Sequence, residues 1–316
     1  VERLLQGLKA AAEPTRLRIL MLCAHGDLSV TDLTQILGQS QPRVSRHLKL
    51  LAEAGLLDRF REGTFAFFRL AESGAVAELA RSLVDLIPDA DATVGLDLER
   101  LEAVKRQRAE MAAGYFRDNA SHWDEIRTLH IADSAVEQAI LDLLPPGEIG
   151  DLLDLGTGSG RMLILLGERV RRAVGIDLSR EMLSVARANI ERAGLQRRCQ
   201  VRQGDLYQLP LPGESFDVAL VHHVLHHLED PAAAIAEAAR VLRPGGRLVV
   251  ADFAPHDVEN LRSEHAHRWL GFPDDIFARW LQRAGFETES PVHLPGAPLT
   301  VTIWPARRAA QRKAAA

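Results

Sequence analysis

The chain has 316 residues, 47% of them hydrophobic and 26% charged, with a formal net charge of −5, an ordinary globular composition with length enough for two domains. No apolar stretch approaches a bilayer span and no secretory signal pattern opens the sequence, so a cytoplasmic protein without a membrane partner is expected. The two cysteines, Cys23 and Cys199, stand far apart in no ligand-like spacing, which argues against a disulfide framework or a thiolate zinc cluster.

The charge is uneven: residues 1–70 hold ten Lys and Arg against seven Asp and Glu, a basic unit ahead of an acidic remainder. Leu4 to Ala24 reads as helix interrupted at Pro14. Ser29-Val30-Thr31-Asp32 has the form of a capping box, and the helix it opens should stop at Gly38. Pro42 suits the first turn of a further helix, whose buried stripe is Val44, Leu48 and Leu51. Arg43, Ser45, Arg46, His47 and Lys49 lie mostly off that stripe, and Gly55 closes the helix. Two strand-like runs, Leu57–Arg61 and Phe65–Leu70, complete a helix-turn-helix with a β-hairpin wing. Such a unit can place its second helix in the major groove and wing cations, here Arg59, Arg61 and Arg69, on phosphates.

Glu13-Pro14-Thr15-Arg16-Leu17-Arg18-Ile19-Leu20 and Gln41-Pro42-Arg43-Val44-Ser45-Arg46-His47-Leu48-Lys49-Leu50-Leu51 resemble the ArsR/SmtB winged-helix repressors, over residues 1–85. The resemblance implies a homodimer on a double-stranded DNA operator, with contacts from Gln41, Arg43, Ser45, Arg46, His47, Lys49, Arg59 and Arg61. It also shows a departure, since Ser29 and Thr31 stand where the family's thiolate metal site has cysteines, and hydroxyls do not replace thiolates for soft metals. Residues 71–88 carry no histidine for the family's other metal site. The winged-helix unit is therefore expected to end at 88, without a metal site.

Gly74–Ile87 is amphipathic, and Pro88–Thr93 reads as a linker. A charged helix over Leu96–Ala113 is expected to bridge the domains, followed by lid helices to 147 that contain Tyr115, Phe116, His122 and Trp123. The next domain, 148–305, alternates strand and helix, with strands near 151–155, 173–177, 199–203, 216–221 and 247–252. Gly156, Gly158 and Gly160 follow the first strand and let the backbone approach a ligand at a helix start. Asp177 ends the second strand, where a carboxylate accepts from a ribose diol. Arg161 occupies the place of the third glycine of a dinucleotide loop, so NAD fits poorly.

The set Leu153-Asp154-Leu155-Gly156-Thr157-Gly158-Ser159-Gly160, Asp177, Gly204-Asp205-Leu206 and Leu242-Arg243-Pro244-Gly245-Gly246 resembles the class I S-adenosylmethionine (SAM)-dependent methyltransferases. The resemblance implies a Rossmann-like α/β sheet with a late antiparallel hairpin, here Phe286–Val292 with Leu299–Trp304. It implies that Asp154, Gly156, Thr157, Gly158 and Gly160 hold the methionine end of SAM, Asp177 the ribose, Leu178 and Met182 the sugar and base, and Asp205 and Leu206 the adenine. The product would be S-adenosylhomocysteine (SAH), and the other partner a small-molecule methyl acceptor.

His222-His223-Val224-Leu225-His226-His227 contains two i, i+4 pairs, the spacing of a helical metal site. The segment also matches the family's Leu-His-His-Leu ahead of Glu-Asp-Pro, so no metal site is expected, and His226 is the candidate general base for an O–H or N–H acceptor. His265 and His267 are candidates for the acceptor pocket. Arsenite methylation is rejected because Cys199 is the domain's single cysteine. A basic tail follows from 306. Two functions stay open: a transcription regulator sensing SAM or SAH, and a small-molecule methyltransferase whose winged helix serves dimerisation or autoregulation.

Overall fold

In a computed structural model of the protein, residues 1–62, 65–71, 74–88, 91–107, 132–265 and 267–310 are described. Tyr115, Phe116, His122 and Trp123, and the tail residues Arg312 and Lys313, lie outside them. No helix among the described residues is long and apolar enough to cross a membrane.

The amino-terminal unit follows its local signals. Helix α1 spans Glu2–Ala11 and α2 spans Pro14–Ala24, with Pro14 in the first turn and the Glu13 carboxylate accepting from Arg16 N at 2.9 Å. Ser29 caps α3 (Val30–Leu37) through a complete capping box with Asp32, and Gly38 ends it in the left-handed conformation. Helix α4 spans Gln41–Glu53 and buries Val44, Leu48 and Leu51. Those three join Ile19, Leu22, Leu33 and Ile36 in one core. The wing strands β2 (Leu57–Glu62) and β3 (Phe65–Leu70) pair antiparallel, and the short β1 (Leu28–Ser29) adds to β3. Helix α5 spans Ala77–Asp85.

Of the helix expected over Leu96–Ala113, residues 108–113 lie outside the described residues, and the described helix over 92–107, α6, packs on the winged-helix unit. Val94, Leu101 and Val104 are buried in the winged-helix core. Asp97 is 0% exposed and accepts two bonds from Arg18, at 2.6 and 2.7 Å, while Arg100 donates to the Ile36 carbonyl. A buried, bidentate arginine pair fixes α6 against α2, which spacing alone does not reveal.

After α7 (Asp133–Leu143) the parallel strands are β4 (Asp151–Leu155), β5 (Arg172–Asp177), β6 (Cys199–Gln203), β7 (Phe216–His222) and β8 (Leu242–Phe253). The order β6-β5-β4-β7-β8 reverses direction between β4 and β7, the switch point of a doubly wound sheet. The interposed helices are α8 (Arg161–Leu166), α9 (Arg180–Arg192) and α10 (Pro231–Val241). Two further helices, α11 (Asn260–Glu264) and α12 (Asp274–Arg283), precede the last strands. The late hairpin is more elaborate than expected: β11 (Val301–Arg308) runs antiparallel to β8 and also pairs with both β9 (Phe286–Thr288) and β10 (Val292–Leu294). Apolar clusters cover both faces, which is why β4 is buried along its whole length.

The two units touch through the wing. The Arg187 guanidinium of α9 lies 4.4 Å over the Phe67 ring, and that of Arg202 on β6 lies 5.5 Å from the Phe60 ring.

Candidate active site and nucleic-acid interface

The chain leaves β4 through a loop that only glycines permit. Gly156 has φ 71°, and a Cβ there would meet the Val224 side chain at 2.4 Å. Gly156 N and Thr157 N both donate to the Ile176 carbonyl, at 2.7 and 2.9 Å, which ties the loop to β5. Asp177 braces the same loop, with one oxygen accepting from Gly158 N at 2.8 Å and the other from Ser179 N at 2.9 Å. A carboxylate has lone pairs left for further donors after these two bonds.

Asp154 is buried beneath the loop and accepts from the Thr157 hydroxyl at 2.6 Å. Burial pushes its carboxyl up to about 7, with Asp177 adding to the rise and Thr157 opposing it.

Above the carboxyl ends of the strands lies a cleft of about 490 Å³, a size suited to a small ligand. Nine of the ten expected cofactor residues line it: Asp154, Gly156, Thr157, Gly158, Asp177, Leu178, Met182, Asp205 and Leu206. Gly160 is the exception and does not line the cleft. A Cβ there would come within 3.2 Å of the Ala186 Cβ, so this glycine serves the close packing of α8 on α9. The walls suit a nucleoside: Leu178 is 71% exposed at the mouth, a large apolar side chain that a stacked base or sugar would cover.

Several cleft residues were not found from sequence. Arg161, in the position of the missing third glycine, forms a bidentate pair with Glu137 of α7 at 2.6 and 2.8 Å. The Tyr207 hydroxyl accepts from Glu229 N and Asp230 N, fastening the loop beyond the histidines, while Asp205 accepts from Tyr207 N. Phe253 also lines the cleft, as do His222, His223 and His227 of the segment that the sequence had singled out.

The histidine segment is not an α-helix, so the i, i+4 pairing does not apply. His222 ends β7, His223 takes a left-handed φ of 54°, and Leu225–His227 form one 3₁₀ turn. The fold supplies two partners the sequence did not suggest. Asp252, 0% exposed at the end of β8, lies 2.7 Å from His226 Nδ1 and also accepts from the backbone of His226 and Phe253. Burial alone would raise its carboxyl, but the adjoining His226 charge and hydrogen bond hold it well below the usual carboxylate range. An ionised carboxylate only accepts, so His226 Nδ1 is the ring nitrogen that donates to Asp252. The second partner is His267, whose ring centroid lies 4.1 Å from that of His226. His265 is buried nearby in sequence but does not line the cleft.

On the winged-helix unit, Gln41, Arg43, Ser45, Arg46 and Lys49 are exposed together on α4, and Arg59 is exposed on the wing. His47 differs, being half-buried with Nδ1 3.7 Å from the Glu13 carboxylate. Arg69 turns inward, 5% exposed, and pairs with Asp27 at 2.8 Å, so it is not a phosphate contact. The side chain of Arg61 lies outside the described residues.

A family model described as a methyltransferase domain matches residues 153–250, and one described as a bacterial regulatory protein of the arsR family matches residues 13–59. The chain is 31% identical over 194 residues to 27-O-demethylrifamycin SV methyltransferase of Amycolatopsis mediterranei, covering 58% of this chain and 71% of that one. It is 40% identical over 163 residues to an uncharacterized 37.1 kDa protein in transposon TN4556 of Streptomyces fradiae, covering 49% and 46%. The match spans less than half the length of that relative, and 42% of an uncharacterized methyltransferase of Bacillus subtilis. Among solved structures, geranyl diphosphate methyltransferase in complex with SAM superposes with a TM-score of 0.50 at 17% identity, covering 55% of this chain and 85% of that one, a likeness of fold. The chain belongs to the class I SAM-dependent methyltransferases and carries an arsR-family helix-turn-helix unit at its amino-terminal side.

Proposed function

We infer that the α/β unit binds SAM and methylates a small-molecule acceptor, and that the winged-helix unit binds a double-stranded DNA operator as a homodimer. The observation that carries the reading is one cleft, at the sheet's switch point, shared by the glycine loop, Asp177, Asp205 and His226. The Amycolatopsis mediterranei relative is named for 27-O-demethylrifamycin SV, which supports a small organic acceptor. When bound, SAM supplies a methyl group on a sulfonium sulfur and leaves as SAH. In this reading Asp177 accepts from the ribose hydroxyls with the lone pairs its backbone bonds leave over. Asp154 and the loop amides take the methionine end, Leu178, Met182 and Leu206 enclose the sugar and base, and Asp205 accepts from the adenine amino group. Asp252 holds His226 Nδ1, which leaves Nε2 to receive the proton of an O–H or N–H acceptor. A cytoplasmic location fits these partners.

A second reading, the sensor, has a specific observation in its favour. Helix α9 has Met182 at the cleft and Arg187 against the wing, so one rigid element touches both units.

Calorimetry with SAM and SAH on the wild type and on Asp177→Ala tests the cofactor assignment. A loss of about 1.5–3 kcal/mol per charge-assisted bond is expected. Unchanged affinity in the variant removes Asp177 from the ribose, and no binding by the wild type removes the methyltransferase reading.

A further inference from the structure

We propose that His226, His227 and His267 form a three-ligand site for a divalent transition metal, zinc foremost, at the acceptor end of the cleft. Each residue offers one ring nitrogen, and the three nitrogens lie within 4.8 Å of one another. A tetrahedral zinc with bonds of about 2.0–2.1 Å brings its nitrogens to about 3.4 Å, a contraction that side-chain rotation supplies. Three imidazoles are the ligand type such metals take.

Two independent observations point to a ligand there. His267 is 3% exposed, and neither of its ring nitrogens has a hydrogen-bond partner among the described residues. A buried imidazole with both nitrogens unsatisfied is costly, and a cation with the right donor set removes the cost. The second observation is Asp252, which is fully buried and fixes His226 through Nδ1 at 2.7 Å. A carboxylate behind a histidine, turning Nε2 outward, is the arrangement that orients a metal ligand. Asp252 is thus a positioning residue. Because Asp252 is hydrogen-bonded to His226, it does not compete as a ligand beside it.

His226 and His227 line the cleft and His267, in ring contact with both, does not. The fourth position therefore opens toward the acceptor space, as in a catalytic rather than a structural zinc site. Such a position takes water or an oxygen-bearing acceptor. That last step rests on the methyltransferase reading, and with metal bound His226 acts on the acceptor through the metal instead of as a free base.

The test is metal binding by the full chain, stripped with chelator and titrated with Zn²⁺ by calorimetry and with Co²⁺ by visible absorption. One ion per chain is expected, with intense tetrahedral-type Co²⁺ bands. His267→Ala should lose at least tenfold in affinity, and Asp252→Asn about 10–100-fold. His293→Ala, a surface histidine on Asp274, should bind like the wild type. SAH binding by His267→Ala reports that it is folded, and Co²⁺ bands of the His226→Ala protein report the site by a second variant. Sub-stoichiometric binding, or equal affinity in His267→Ala and His293→Ala, overturns the site. Metal binding without SAM binding leaves the metal site standing and overturns the methyltransferase reading.

Discussion

Arg187 Nε on α9 lies 3.8 Å from the carboxylate of Asp27 in the winged-helix unit, and both side chains are buried. Asp27 also holds Arg69 of the wing at 2.8 Å, so one carboxylate sits between two guanidiniums at the junction of the units. Ser179 caps α9 beside Asp177, so the helix that starts at this cleft carboxylate carries Arg187 at the junction. A shift of α9 on ligand binding would be felt by the wing.

Asp27→Ala should therefore destabilise the protein by about 3–5 kcal/mol, the cost of removing one partner from a buried pair. Arg187→Ala should cost less, because Arg69 still neutralises Asp27. Urea unfolding measures both; a smaller loss for Asp27→Ala than for Arg187→Ala would reverse the assignment.

The junction also predicts coupling. Saturating SAH should change operator affinity by a factor in the range of about 5–150, and DNA should change SAH affinity by the same factor. Arg187→Ala should shrink that factor toward one while leaving SAH affinity in the absence of DNA intact. Equal operator affinity with and without SAH refutes the sensor and leaves the enzyme with its autoregulatory unit.

On the DNA side, Arg46→Ala should relax sequence specificity by about 1–3 kcal/mol at one base position. Arg59→Ala should weaken specific and non-specific binding alike and lower the salt slope by about one unit. The operator should be an inverted repeat, since a two-fold dimer presents two α4 helices. Fluorescence anisotropy across a salt series separates these outcomes.

Asp154 gives a pH dependence. Burial raises its folded value to about 7, above the ordinary aspartate range. A group raised on folding contributes stability that is complete below the unfolded value and is lost as pH rises through the folded one. The stability of the ligand-free wild type relative to Asp154→Asn should thus fall between pH 4 and 7, by at most about 1.4 kcal/mol per unit. A ligand cation near Asp154 favours the ionised form, so SAM affinity should rise from pH 6 to 8 in the wild type and stay flat in Asp154→Asn. Parallel pH profiles for the two proteins would remove Asp154 from the cofactor's charged end.

His226→Gln should lower methyl transfer about 10²–10⁴-fold with SAM affinity unchanged if His226 is, as proposed, the base that takes the acceptor's proton. A variant that transfers methyl at the wild-type rate takes His226 out of the chemistry.

What the sequence determined by itself is local. The capping box at Ser29, the stop at Gly38, the α4 stripe of Val44, Leu48 and Leu51, and the strand bounds of β4 and β6 are set by neighbours within a turn or a strand, where propensity and periodicity act. Gly156, Gly158 and Asp177 belong to the same class, since the strand-turn-helix unit itself presents them to the cleft. Tertiary structure decided the rest. The pairing of Arg18 with Asp97 drew α6 into the first unit, and Arg69 turned inward to Asp27, because buried charges go where a partner is. His226 met Asp252 and His267 only when β8 and the segment after α11 folded over the switch point. Those contacts join residues distant in sequence, and no local spacing encodes them.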